Sequence, residues 1–547
     1  MDPGVAIAGI QVCWVVGKIL VESCQTWRAA QEELADRIAI IEHAWQRTRM
    51  QLEFIERLTL DEEYRRTLDE LARILATRLS AAITAINRAV EKESKKRPGF
   101  LEFGEGVRKS KYMFVKSAID DAIKDVEEWQ RRFDPSWFLV MRVAGPAIDE
   151  ELKSAKGKEE RDLLATRTGM TGPKVLTRSP FQAAEGLRQV LRNPARASIF
   201  LPNIALEKQA IPHSSVQRAV FRGGSSDKDQ RSFFIESIIC RPGADLNALT
   251  ADTRKLASRL TAADPLAFGL LNCKGVIKVP GDVTTGQSPS FTMVYRPPDG
   301  FKPEDSCSSL RDFLLINTRK PSGASLSRRI AVAHSLARSV SSIHTFEFVH
   351  KNIRPESVLL LGDDVDAGAT FLLGFDSFRE ADGATYLLGD DVSWDRNLYR
   401  HPTRHGNFIT ERYRMHHDVY SLGVCLLELG LGESFVAFDA DGLPTPASRL
   451  AEDFGNWLKT TGRESGEVTG RFEESAGLLK HSKDYLEHLA ATQLPQCAGT
   501  RYTQAVMACL SCLDDDKSQV EEDDTYGIEV GMGFIQNILG QLDEILV

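Results

Sequence analysis

What this chain lacks narrows its function before any motif is sought. It has no excess of basic charge: 68 Lys and Arg stand against 77 Asp and Glu, a formal net charge of −9. Nucleic acid needs a positive field to meet its phosphates, so no nucleic-acid partner is expected, the short clusters Lys95-Lys96-Arg97 and Arg108-Lys109-Ser110-Lys111 notwithstanding. It also lacks the dense cysteine framework of a small secreted module. Nine cysteines (Cys13, Cys24, Cys240, Cys273, Cys307, Cys425, Cys497, Cys509, Cys512) are scattered over 547 residues, which fits a reducing, cytoplasmic location. Cys509 and Cys512 have C-x-x-C spacing but no second ligand pair, and read as two small core residues of a helix.

No uninterrupted apolar run of bilayer length is present either. Val5–Val21 is largely apolar, yet Gln11 and Lys18 break it, and it falls short of the roughly 20 residues that cross a hydrocarbon core. Asp2 and Pro3 stand where a signal peptide would carry its basic region. The segment reads as a bundle helix with the capacity to lie on or enter a membrane.

What is present begins with three helical stripes. Leu34, Ile38, Ile41, Trp45, Leu52 and Ile55 alternate in steps of three and four, apart from one skipped position at Thr48. A second stripe runs Leu68, Leu71, Leu75, Leu79, Ala82, Ile86 and Val90, and a third Val115, Ile119, Ala122, Val126, Trp129 and Phe133. Each places its apolar side chains on one seam, so the helices bury those seams together. Asp134-Pro135-Ser136 is expected to start a separate short helix through Met141, giving an antiparallel bundle of four or five helices. Periodicity fades after Ala144, and the charged stretch Lys153–Asp162 with Gly169-Met170-Thr171-Gly172-Pro173 reads as linker. Short apolar runs follow, at Phe233-Phe234-Ile235, Phe268-Gly269-Leu270-Leu271 and Phe291–Tyr295, and read as strands. Helical patterns return from Ser325. Beyond the acidic break at Asp514–Asp524, Val530, Phe534, Ile538, Leu542 and Val547 mark a last amphipathic helix expected to pack on the preceding domain.

The informative string is Val349-His350-Lys351-Asn352-Ile353-Arg354-Pro355-Glu356-Ser357, which resembles the protein-kinase catalytic loop H-R-D-L-K-P-E-N. Gly374-Phe375-Asp376 falls where D-F-G belongs, Tyr399-Arg400-His401-Pro402 where an activation segment ends, and Asp418–Leu429 resembles the D-V-W-S-x-G-V helix of the large lobe. Four anchors in order imply a bilobal kinase-like fold, but every chemical position departs from the pattern. Asn352 replaces the aspartate that orients the attacking hydroxyl, Ser357 the asparagine and Gly374 the aspartate that hold magnesium. Phosphoryl transfer relies on charge neutralisation by that metal, so losing base and ligands together argues against catalysis. Asp376 is shifted two residues, roughly 6–7 Å of extended chain, from the ligand position. The strand at Phe233 carries Glu236 but no lysine for the phosphates, and Arg222-Gly223-Gly224-Ser225-Ser226 is not G-x-G-x-x-G, so ATP binding is doubtful and no cofactor or metal is expected. His350, Arg354, Pro355 and Asp418 are retained, and the resemblance implies that they organise loops. The clustered His401, His405, His416 and His417 match no closed zinc site and read as exposed activation-segment histidines.

The layout of an apolar first helix, long helices to Phe133 and a degenerate kinase motif resembles fungal proteins with a HeLo-like helical domain before a kinase-like domain, and is similar to that of the necroptosis pseudokinases of the mixed lineage kinase domain-like type. The resemblance implies a HeLo-like bundle at 1–145, a linker at 146–195, a pseudokinase at 196–515 and a terminal helix at 526–547. Three functions stay open. The first is a non-enzymatic signalling protein whose pseudokinase restrains a bundle active in cell death or incompatibility, which self-associates and meets lipid through residues 5–21 and 95–111. The second is a scaffold that binds protein partners without membrane activity, and the third an atypical active kinase.

Overall fold

Each of the three stripes becomes a long helix. In the computed structural model the described residues are 8–25, 32–57, 62–94, 105–146, 148–155, 157, 179–192, 199–203, 206–222, 230–240, 245–281, 288–302, 305–319, 324–362, 369–375, 378–380, 393–405, 413–462, 481–514 and 530–545. The chain forms two compact units, Met1–Glu185 and Gly186–Val547.

The first unit is helical: α1 (Ala8–Gln25), α2 (Glu32–Glu56), α3 (Glu62–Ser94), α4 (Glu105–Val143), a turn of helix at 148–155, and the start of α5 (Pro180–Arg192). The seams predicted for α2 and α4 are buried throughout, as are Leu68, Leu75, Leu79 and Ala82 of α3. The side chains of Leu71, Ile86 and Val90 lie outside the described residues, as do those of the basic clusters 95–97 and 108–111. The interruption at Thr48 is filled by polar chemistry. Its hydroxyl donates to the Ala44 carbonyl at 3.0 Å, and Gln130 of α4 donates to both groups, at 3.0 and 2.9 Å. A buried hydroxyl with partners costs little, whereas one without would cost on the order of 1–3 kcal/mol.

One expectation fails here. Asp134-Pro135-Ser136 does not begin a new helix, because α4 runs straight through with Pro135 inside. An interior proline forfeits a hydrogen bond and clashes with the preceding turn, a cost of about 3 kcal/mol. Large buried rings on both sides of it outweigh that cost: Trp129 stacks on Phe133 at 4.6 Å, and Trp137 meets Phe54 and Phe181 edge-on at 5.6 and 5.3 Å. The segment read as linker thus includes Phe181, which packs in this aromatic cluster, while residues 158–178 lie outside the described residues.

Helix α1 is apolar on two sides. Gly9, Ile10, Cys13, Gly17, Leu20 and Cys24 are buried, whereas Val12, Val15 and Ile19 are 50%, 60% and 42% exposed. The small residues set how near the neighbouring helices come. The Gly9 N–H donates to Asp69 Oδ1 at 2.6 Å, and a Cβ on Gly17 would stand 2.1 Å from the Trp45 ring. Among the described residues no helix is long and apolar enough to cross a membrane.

The second unit opens with a six-stranded sheet in the order β1-β5-β6-β4-β3-β2. Its strands are β1 (Phe200–Leu201), β2 (Glu207–Ala210), β3 (Gln217–Arg222), β4 (Gln230–Ile239), β5 (Cys273–Val279) and β6 (Ser290–Tyr295). Only β1 pairs in parallel, with β5; the other pairs are antiparallel. Helix α6 (Leu246–Thr261) lies between β4 and β5 in sequence, and Ala219, Phe233, Ile235, Ile277 and Val294 form a core on the sheet. Phe268–Leu271, expected as a strand, is not one. Asp264 caps a one-turn helix, Pro265–Phe268, and Gly269 ends it at φ 62°, so the strand starts only at Cys273.

Helices dominate from α7 (Leu310–Arg319) onward: α8 (Leu326–Thr345), α9 (Met415–Leu431), α10 (Ser448–Thr460), α11 (Ser482–Cys497) and α12 (Thr500–Leu510), with short strand pairs between them. Of α9, 15 residues are buried, from Met415 to Gly430, and α8, α11 and α12 pack round it. The terminal helix buries Phe534, Ile538 and Leu542 beside α8 and α12, and Val530 packs with Val349, Tyr413 and Met415, while Val547 lies outside the described residues. The architecture is therefore an N-terminal helical unit followed by a mixed sheet with helices.

Substituting Gly17→Val is expected to lower the unfolding free energy by about 1–3 kcal/mol through overpacking against Trp45. A urea titration followed by Trp fluorescence reads this, and an unchanged midpoint would mean that α1 is not seated on α2.

Candidate functional site

The loop from Val349 to Ser357 is built outward from one carboxylate. Asp418, in the first turn of α9 and fully buried, accepts the backbone N–H groups of His350 and Lys351 at 2.7 and 2.9 Å and the Tyr413 hydroxyl at 2.8 Å. His344 Nε2 lies 3.2 Å from its other side. This clamp holds Lys351 in the left-handed region, at φ 65°, which a side chain rarely adopts. Burial disfavours the Asp418 charge, but the hydrogen bond and charge of His344, with the charge and backbone N–H of His350, outweigh it and hold the carboxyl below its ordinary value.

Asn352 and Ser357 spend their polar atoms on the protein. Asn352 donates to the Gly374 carbonyl at 3.1 Å and accepts from Arg354 Nε at 3.0 Å. The Ser357 hydroxyl donates to the Arg354 carbonyl at 2.8 Å, and the Ser357 carbonyl accepts from Leu373 N–H at 2.8 Å. His350 Nε2 sits 2.9 Å from the Leu373 carbonyl. The structure thus brings His350, Asn352, Arg354, Pro355, Ser357, Gly374 and Asp418 to one place, as the sequence order implies. Asp376 lies outside the described residues, as do Gly223 and Gly224.

Gly374 does more than omit a ligand. Its φ is 84°, and a Cβ there would stand 2.6 Å from Ser357 Cβ. Its N–H and that of Phe375 donate to one oxygen of Glu236, at 2.6 and 3.1 Å, while the Tyr295 hydroxyl donates to the other. Glu236, on β4, is 4% exposed. Sequence reasoning registered Glu236 only as a missing lysine; the signal overlooked was a carboxylate inside an apolar strand, which has to be met by donors.

The turn between β2 and β3 bends onto the same loop. Ser215 N–H and the Ser214 hydroxyl donate to the Glu356 carbonyl at 3.2 and 3.3 Å, and the Ser309 hydroxyl donates to the Pro212 carbonyl at 2.8 Å. The His213 ring lies 4.2 Å from Phe438. On the helical side, fully buried Arg311 of α7 donates to Glu356 and Glu428, both at 2.8 Å, to Ser434 at 2.7 Å and to Tyr399 at 2.5 Å. Burial opposes the Glu356 charge, but Arg311 and Arg354 hold it below the usual range, whereas burial wins at Glu428 and raises it.

The histidines are not the exposed group expected. His401 and His417 are 8% and 1% exposed, the His401 ring edge-on to Tyr420 at 5.0 Å and the His417 ring 4.8 Å from Tyr413, and His405 and His416 are half-buried. His401 Nδ1 accepts Thr403 N–H at 3.3 Å and His417 Nδ1 accepts Arg414 N–H at 3.0 Å, so each ring keeps its proton on Nε2 and presents no lone pair there to a metal. Burial, with the charges of Arg404, His401 and Arg414, lowers His417 to about 3; burial, with Lys483, lowers His401 to about 4. Among the described residues no group of three or more His, Cys, Asp or Glu is gathered for a metal ion.

Comparison with protein-family models and with curated proteins finds no match for the chain.

Two outcomes follow from these contacts. Gly374→Asp is expected to lower stability by about 1–3 kcal/mol from the left-handed backbone alone, with crowding against Ser357 added, as measured by chemical denaturation; an undiminished midpoint would show that the position is not strained. His417 is buried neutral, so its contribution is present above its unfolded value of about 6.5 and drains away as pH falls toward the folded value, at up to about 1.4 kcal/mol per pH unit. Unfolding free energies at pH 7 and pH 5 should therefore converge in His417→Asn relative to the parent chain.

Proposed function

We propose that the second unit is a pseudokinase and that it controls the N-terminal helical bundle in a cell-death or incompatibility signal. The bundle, once released, self-associates and engages lipid. The observation that carries this reading is the Glu236 carboxylate bonded to the N–H groups of Gly374 and Phe375. In the kinase resemblance a lysine on the strand and an aspartate at position 374 prepare the site for phosphates and magnesium. Here one buried anion stands at that place and repels phosphate, one of its oxygens accepting two backbone N–H groups and the other the Tyr295 hydroxyl. The sheet preceding the helices, the Asp418 clamp on the loop and the paired roles of Asn352 and Ser357 support the same reading, that the loop is maintained for shape.

Support for lipid contact comes from α1. Val12, Val15 and Ile19 recur on one face and are exposed, which puts apolar surface where water otherwise meets it. The opposite face is core, and that observation favours a second reading, a scaffold that binds protein partners without touching membrane.

One experiment separates these. In a thermal-shift titration Mg-ATP is expected to leave the melting temperature of the full chain unchanged. Residues 1–185 are expected to release dye from anionic liposomes, and Val15→Glu with Ile19→Glu to abolish release while circular dichroism stays helical, since both positions are exposed. Stabilisation by Mg-ATP sinks the pseudokinase reading; no release from any liposome composition leaves the scaffold.

A further inference from the structure

The face of the sheet turned away from Glu236 carries three cations at one corner. On β4, Phe233 and Ile235 join Ala219, Ile277 and Val294 in the core cluster of that face, while Glu236 lies on the other, because side chains alternate along a strand. Arg231 precedes Phe233 by two positions and so shares its face. Arg296 follows Tyr295 at the end of β6. Since Tyr295 meets Glu236, Arg296 falls with Val294 on the opposite face, and it stands across from Phe233, one step beyond the Phe234–Tyr295 pair. Lys274 of β5 reaches the same ring from its own strand, its Nζ 4.4 Å from the Phe233 centroid.

Three positive charges thus gather round one aromatic ring on the adjacent strands β5, β6 and β4, within the roughly 5–10 Å that such strands span. Their contacts leave the charge unmatched. Arg296 donates to the Asn272 side-chain oxygen and, through its backbone N–H, to the Asn272 carbonyl at 2.9 Å, both neutral acceptors. Lys274 rests on the ring. The charges that act on Lys274 are those of Arg231 and Arg296, both positive, and together with burial, the larger cause, they lower its pKa. Among the described residues no carboxylate forms an ion pair with any of the three.

The arrangement selects a ligand by charge and by shape. A neutral molecule leaves the repulsion as it is, and a carboxylate offsets one charge of three. An acidic peptide spaces its charges along a line, whereas these cations converge on a point. A compact dianion with several oxygens offsets two charges at once and gives the guanidinium forks and the ammonium acceptors to share. We propose that this corner of the sheet is a binding site for a phosphate monoester dianion, held by Arg231, Lys274 and Arg296 over Phe233. The site lies behind the sheet from Glu236 and is separate from the cleft. In Mg-ATP the metal already holds the terminal oxygens, so the nucleotide titration does not report on this corner.

The test titrates glycerol 3-phosphate into the full chain at constant ionic strength and without magnesium, by calorimetry and thermal shift, with glycerol and potassium chloride as controls. The ester is expected to bind and raise the melting temperature, and the controls to leave it unchanged. Arg231→Gln and Lys274→Met are each expected to weaken the ester at least about tenfold, the effect of losing one charge-assisted hydrogen bond. Where Lys274→Met fails to fold, Arg231→Gln decides alone, since that side chain is exposed. Vesicles of phosphatidylcholine carrying phosphatidic acid separate the two sources of such a phosphate. Arg231-dependent binding to them above that of glycerol 3-phosphate assigns it to a lipid headgroup, and vesicle binding no tighter assigns it to a soluble ester. Failure to find Arg231-dependent binding of either form overturns the proposal.

Discussion

The carboxylate of Asp418 is the constraint from which the candidate site follows. A fully buried anion is tolerable only where donors surround it, and here two successive backbone N–H groups, a tyrosine hydroxyl and a histidine ring do so. The two N–H groups belong to consecutive residues of a loop, so satisfying the charge also fixes the loop's path and forces Lys351 into a left-handed backbone. Once that path is set, Asn352 reaches the Gly374 carbonyl, Ser357 closes its own turn, and the segment 373–375 is drawn alongside. None of these bonds needs a nucleotide or a metal. The arrangement makes Asp418 and the loop at His350 interdependent: removing the carboxylate leaves the strained backbone at Lys351 without support, and moving the loop leaves a buried charge without donors.

Glu236 and Arg311 extend the same logic to the two sides of the loop. A carboxylate in an apolar strand is costly unless paired, and Gly374, Phe375 and Tyr295 supply its donors; a guanidinium with no exposure is costly unless paired, and two carboxylates, a serine and a tyrosine supply its acceptors. Both are expensive to bury. Each joins segments far apart in sequence: Glu236 with Gly374, Arg311 with Glu356, Tyr399 and Glu428. Interactions of this kind stabilise one arrangement of the chain against others more than they stabilise folding as such.

How much of this was legible depended on whether the deciding contact was local. The stripes of α2 and α4 could be read because period 3.6 is a one-dimensional signal, and so could the loop at 350–357, whose residues are neighbours in sequence. The continuity of α4 through Pro135 could not be read, since the rings that override the proline come from Phe54 and Phe181. The burial of His417 was hidden for the same reason: its spacing from His401 suggested a surface group, whereas the partner that fixes its ring, Arg414 N–H, becomes visible only with the turn at the start of α9. Glu236 was read as an absence because a missing lysine is visible in a motif, while the two N–H groups that a glutamate needs lie 138 and 139 positions away.

Helix α1 shows why composition alone does not separate a core helix from a membrane-seeking one. Both faces carry apolar residues, and they differ in size as well as in polarity, since Gln11, Lys18 and Glu22 share the exposed side. The buried side carries the small Gly9, Cys13, Gly17 and Cys24 beside Ile10 and Leu20, and the exposed side Val12, Val15 and Ile19. Small residues permit close approach to Asp69 and Trp45 and so gain contact by proximity, whereas the bulky ones, turned outward, gain nothing within the bundle. An amphipathic helix ordinarily spends polar residues on its outer face. Keeping three β-branched side chains in water forgoes roughly 25 cal/mol for each Å² of apolar surface that any occupant of that face would recover. That unrealised burial is the physical basis for proposing the outward-acting part for the bundle, and not for the sheet and helices that follow it.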